Sequence, residues 1–90
     1  MELSDIIEKL EYTIEEKEGF FEVDLDFELE RTVVVVDGYI TREFEPNTSQ
    51  FYGDLKYQNL EIYKCWIQYP DFEAKITDKN IEIIEKYFNK

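Results

Sequence analysis

FFEVDLDFELE, residues 20–30, alternates apolar and acidic side chains without a break from Phe21 onward. Phe21, Val23, Leu25, Phe27 and Leu29 share one parity, and Glu22, Asp24, Asp26, Glu28 and Glu30 share the other. A strand points successive side chains to opposite faces, so the pattern predicts one apolar face and one acidic face. A helix, at 3.6 residues per turn, would mix the two sets around its circumference.

Two turns compete to end this strand. Asp37-Gly38 is a strong two-residue hairpin signal and would leave one strand over residues 20–36. That is far beyond the usual strand length of about 5–6 residues. A turn near Glu30-Arg31 gives two ordinary strands and is the reading preferred here, with the second over residues 32–44. Val34, Val36, Ile40 and Phe44 then line the core, and Gly38 marks a bend or bulge. Asp37 and Glu43 join the outer, acidic face.

Outward from this pair, the chain is legible in both directions. Residues 4–18 read as an amphipathic helix with Ser4 as N-cap and Gly19 as its left-handed stop. Its apolar stripe is Leu3, Ile6, Ile7, Leu10 and Ile14. Residues 45–56 carry loop chemistry in Pro46, Asn47, Ser49, Gly53 and Asp54, interrupted by Phe51 and Tyr52. A third strand is expected over residues 58–68, with Leu60, Ile62 and Trp66 on one face and Tyr63, Cys65 and Ile67 on the other. Tyr69-Pro70-Asp71 reads as a tight turn before a fourth strand that groups Phe72, Ala74 and Ile76. Thr77 caps a closing helix whose stripe is Ile81, Ile84 and Phe88, with Tyr87 beside them. The expected fold is α+β: a four-stranded antiparallel sheet with an N-terminal and a C-terminal helix, both on its apolar face. Residues 1–90 form one domain, with no linker to divide them and no internal repeat.

Charge is unevenly placed. The chain has 22 acidic and 10 basic residues, a net charge of −12. Residues 1–30 hold 12 of those acids with only Lys9 and Lys17 as bases, whereas residues 31–90 are nearly balanced. Such a field repels phosphate backbones and anionic lipid and attracts basic proteins. Direct binding of nucleic acid or membrane is therefore not expected. Glu2, Asp5 and Glu8 stand where a secretory signal needs positive charge, and no apolar run approaches the roughly 20 residues of a membrane span. With a single cysteine, Cys65, the chain is expected in a reducing, cytoplasmic setting.

The inventory for catalysis is thin. There is no histidine, Ser4 and Ser49 have no base at a recognisable spacing, and the three glycines stand alone. Cys65 lies within an aromatic strand and reads as a small hydrophobe rather than a nucleophile. No enzyme activity and no cofactor are expected. Carboxylates two apart on a strand stand about 6.8 Å from one another. Calcium ligands must each lie about 2.4 Å from the ion, so no metal site is expected from the row.

From residue 23 onward the order of elements resembles small acidic proteins of phages and other mobile elements. Residues 23–30, the 45–56 loop, residues 60–67 and the junction of strand and helix over 76–88 carry the likeness. It rests on pattern, without a fixed motif. Some members of that population inhibit host defence nucleases, including CRISPR effectors and restriction enzymes. The resemblance implies an anti-defence inhibitor acting in the host cytoplasm, and no site residue is carried over from it.

The acidic face keeps three readings: a solvated surface, a docking surface for a basic protein, and a mimic of nucleic acid seated in a basic groove. Duplex DNA carries one charge per about 1.7 Å and one strand one per about 3.4 Å. A β-strand supplies only one per about 6.8 Å, so mimicry needs help from Asp37, Glu43 and the first helix. The partner-binding set is Glu22, Asp24, Asp26, Glu28, Glu30, Asp37 and Glu43, with Phe51 and Tyr52 as aromatic anchors. The alternative is an accessory protein with a merely solvated face, acting through its aromatic loop or by self-assembly.

Overall fold

The computed structural model describes residues 2–44 and 55–89. Its elements are α1 (Leu3–Ile14), β1 (Gly19–Phe27), β2 (Thr32–Phe44), β3 (Leu55–Gln68), β4 (Glu73–Lys75) and α2 (Asp78–Phe88). The strands form one antiparallel sheet in the order β1-β2-β3-β4. This is the expected helix, four strands, helix.

Alternation in β1 becomes burial: Phe21, Val23 and Leu25 are buried while Glu22, Asp24 and Asp26 are exposed. The register sets Phe21 against Gly38, Val23 against Val36 and Leu25 against Val34. Ile6, Leu10 and Ile14 of α1 and Ile84 and Phe88 of α2 complete the same core. Both helices therefore cover one face of the sheet. Each such side chain, fully buried, contributes roughly 1.5–3 kcal/mol.

β1 ends earlier than the alternation does. Glu28–Glu30 form a 3-10 turn closed by the left-handed Arg31, whose N–H donates to the Glu28 carbonyl at 3.1 Å. Phe27 pairs with Thr32, so the four residues between them are needed to reverse the chain. Leu29, expected in the core, is 97% exposed. Glu28 and Glu30 leave the strand face with it.

α1 also differs at both ends. It starts after Glu2, whose N–H donates to Asp5 Oδ2 at 3.1 Å, leaving Ser4 inside the helix. It stops at Ile14, the last apolar stripe position, because Glu15, Glu16 and Glu18 offer nothing to bury. Their negative charge is also unfavourable at the negative end of the helix dipole. Gly19, at φ 81°, then turns the chain into β1.

A bulge in β3 changes which side chains share a face. Gly38 faces Ile62 while Asp37 faces Lys64, which leaves Tyr63 as the extra residue. Parity inverts across it. Leu60 and Ile62 before the bulge and Cys65 and Ile67 after it all belong to the core side. Trp66, expected beside Leu60, points to the opposite face. Two further expectations fail at the ends of strands. Phe44 lies beyond Ile40, the last β2 residue paired to β1, and is exposed. Phe72 precedes β4 and stacks on Tyr69 at 4.5 Å, leaving Ile76 as the buried member of its group. In α2, Thr77 Oγ1 accepts from the Asn80 N–H at 3.3 Å, as a cap should.

One polar network joins the helices to the sheet. Arg42 donates through its Nη2 to the Ile14 carbonyl at 2.9 Å and through Nη1 to the Lys17 carbonyl, closing the end of α1. Its Nε donates to Gln58 Oε1 at 2.9 Å, and Gln58 Nε2 donates to the Phe88 carbonyl at 2.7 Å, at the end of α2.

Gly38 is where the sheet is tightest. A Cβ there would overlap the Glu61 carbonyl oxygen and sit 3.0 Å from Phe21 Cζ. Gly38→Ala is expected to lower the unfolding free energy by about 1–3 kcal/mol in urea denaturation. An unchanged midpoint would contradict this close approach.

Candidate functional site

With both helices on one side, the other face of the sheet is uncovered among the described residues. Its side chains run in rows set by the register. Glu22 of β1 lies beside Asp37 of β2 and Lys64 of β3. The next row is Asp24, Val35, Trp66 and Lys75, and the one after it is Asp26, Val33, Gln68 and Glu73. Carboxylates thus line β1, Val33, Val35 and Trp66 make an apolar patch on β2 and β3, and on β3 and β4 Lys64 and Lys75 are mixed with Glu61 and Glu73.

Among the expected site residues, Glu22, Asp24 and Asp26 share the outer face of β1, and Asp37 is brought directly across from Glu22. Glu43 keeps the outer parity but pairs with Tyr57 near the far end of β2, well away from that row. Glu28 and Glu30 are instead part of a groove of about 660 Å³ at the end of β1. Asp5 and Glu8 of α1 and Asp26 bring its carboxylates to five, against the single ammonium of Lys9. Tyr12 and Leu29 form apolar lips, both strongly exposed. Lys9 lies 4.9 Å from the centre of the Phe27 ring and donates to the Asp26 carbonyl. Phe51 and Tyr52 lie outside the described residues.

Aromatic residues on the open face were not singled out from sequence. Phe20, Tyr39 and Tyr63 are all exposed there, and Phe20 and Tyr63 stack with centroids 6.3 Å apart. Parity counted from Val36, Glu22 and Leu60 places Tyr39, Phe20 and Tyr63 outward, so all three were legible.

Cys65 is 1% exposed, and burial pushes its thiol up to about 12 from the usual 9.0. It stays neutral and inert through the physiological range. Among the described residues no group of three or more metal-ligating side chains is placed to hold an ion, and no helix is long and apolar enough to cross a membrane. What the face offers chemically is charge-assisted hydrogen bonding to ammonium or guanidinium groups, beside rings that can pack on their stems. Compared with known proteins, the chain matches no family model, no curated sequence and no solved structure.

The Glu22–Asp37 pair has an energetic consequence. Arg- and Gln-mediated contacts lie on the other face, so Lys64 is the cation opposite Asp37 in its row. Like charges directly opposite are destabilising, and opposite charges contribute roughly 0.2–1 kcal/mol. Glu22→Lys is expected to stabilise the fold by about 0.5–1 kcal/mol at low salt, with the gain shrinking as salt rises. A loss of stability in thermal denaturation would contradict the pairing.

Proposed function

We propose that this protein is a non-enzymatic binding protein that docks on a basic protein surface through the carboxylates of β1. The observation that carries this reading is the set of like charges along one strand, with Asp37 held opposite Glu22. A face needed only for solubility is made equally well by mixed charges, without their mutual repulsion. The rings of Phe20, Tyr39 and Tyr63 stand beside the carboxylates, where a partner's anchors could pack.

In its sharper form, the partner is a nucleic-acid-binding protein, such as a nuclease or defence complex, and the acids occupy the groove meant for phosphates. β1 alone has half the charge density of a single DNA strand. The groove at its end supports the reading by adding Asp5, Glu8, Glu28 and Glu30 along the same edge. The resemblance to small acidic phage proteins points the same way. A second reading, self-assembly or an accessory role, is favoured by the exposed aromatic rings of the open face.

Capture from the cells that carry the protein tests the choice. The immobilised protein is expected to retain a basic protein at low salt and release it as salt rises. Glu22→Lys with Asp24→Lys should weaken capture at least about tenfold, or roughly 1.4 kcal/mol, with the fold intact by circular dichroism. Phe51→Ala with Tyr52→Ala should leave capture unchanged. Retention by the lysine variant would overturn the docking reading, and loss in the loop variant would move the site to residues 45–54.

A further inference from the structure

The backbone of β1 is as informative as its side chains. Lys9 reaches the Asp26 carbonyl from α1, so that carbonyl points away from β2. In an antiparallel ladder the N–H and C=O of one residue point to the same side, and the side alternates from residue to residue. Phe20, Glu22 and Asp24 therefore also direct their N–H and C=O groups to the free edge, while Phe21, Val23 and Leu25 bond to β2.

The far edge of the sheet is treated differently. The outward N–H groups of Leu60 and Ile62 on β3 donate to Asn89 Oδ1 at 2.8 Å and Glu85 Oε2 at 2.9 Å. The Cys65 carbonyl accepts from the Ile76 N–H at 3.1 Å. That edge is closed by α2 and the β4 segment. On the near edge, among the described residues, Asp26 is the position with such a partner, and the outward groups of Glu22 and Asp24 have none.

An open edge is a template for another strand, and the side chains decide which strand it accepts. A second copy of β1 would set carboxylate against carboxylate, which is unfavourable. A segment with lysine or arginine at every second position would set a cation beside each of Glu22 and Asp24. The residue opposite a strand residue points to the same face, so backbone pairing and charge pairing share one register. Resting on the docking reading above, we infer that the partner presents an extended basic segment that adds antiparallel to β1 as a fifth strand over Phe20–Asp24. The spacing of the acids is then the spacing of a strand's side chains, with no need to match that of phosphates.

A seven-residue probe alternating lysine and valine tests this, titrated into isotopically labelled protein at low salt and followed by NMR. It is compared with the same peptide N-methylated on its lysines, which keeps every charge but removes the N–H groups that would pair. The unmethylated probe is expected to bind at least about tenfold more tightly, with shifts centred on Phe20, Glu22 and Asp24. Equal binding of the two probes would overturn strand addition while leaving the acidic docking face standing. Binding of neither would also overturn it, and the capture experiment then judges the docking face separately.

Discussion

The guanidinium of Arg42 crosses the covered side of the sheet to the carbonyls of Ile14, the last residue of α1, and of Lys17 just beyond it, and its Nε holds Gln58, which in turn holds the end of α2. A cation at a helix C-terminus is favourable through the helix dipole, and these hydrogen bonds reach the Ile14 carbonyl, which also accepts from the Lys17 N–H, and the Phe88 carbonyl at the end of α2. Through this network, β2 and β3 are tied to the ends of both helices on the same face. The opposite face is uncovered as a consequence among the described residues, and the strand order leaves β1 at an edge.

The two edges of the sheet differ. Asn89, Glu85 and β4 close the β3 side, while among the described residues the outward backbone groups of Glu22 and Asp24 on β1 are uncovered and each carries a carboxylate. Charge on an edge strand guards against pairing with a copy of itself, and the same charge favours a cationic strand. On the proposed reading, the repulsion between Glu22 and Asp37 is a modest cost in stability that would give discrimination between partners. The proposed docking through side chains and the inferred strand addition through backbone would draw on one row of residues.

Much of this was legible in the sequence, for a physical reason. Period-two alternation in residues 20–27 assigns faces directly, and the stripes of both helices follow from their spacing. What escaped was set by events at ends and in pairing. Leu29 and Glu28 continue the alternation perfectly, yet the hairpin needs their positions to turn. Trp66 and Cys65 exchanged faces because of one extra residue, Tyr63, and a bulge has no local signature beyond the glycine it packs against. Arg42 was unremarked because a cap supplied from a distant strand leaves no pattern in the helix it caps. At the site, the row Glu22, Asp24, Asp26 and its neighbour Asp37 were foreseen, whereas the groove made with Asp5 and Glu8 requires knowing where α1 lies.

The claim on which the account turns is that β1 is core on one face, carboxylates on the other and unpaired backbone along its edge. Residue-resolved amide hydrogen exchange of the free protein tests it most directly. Phe21, Val23 and Leu25 are expected to be protected, while Glu22 and Asp24 exchange at rates near those of an unstructured peptide. Uniform protection along the strand would mean that the edge is already covered, and would contradict the account.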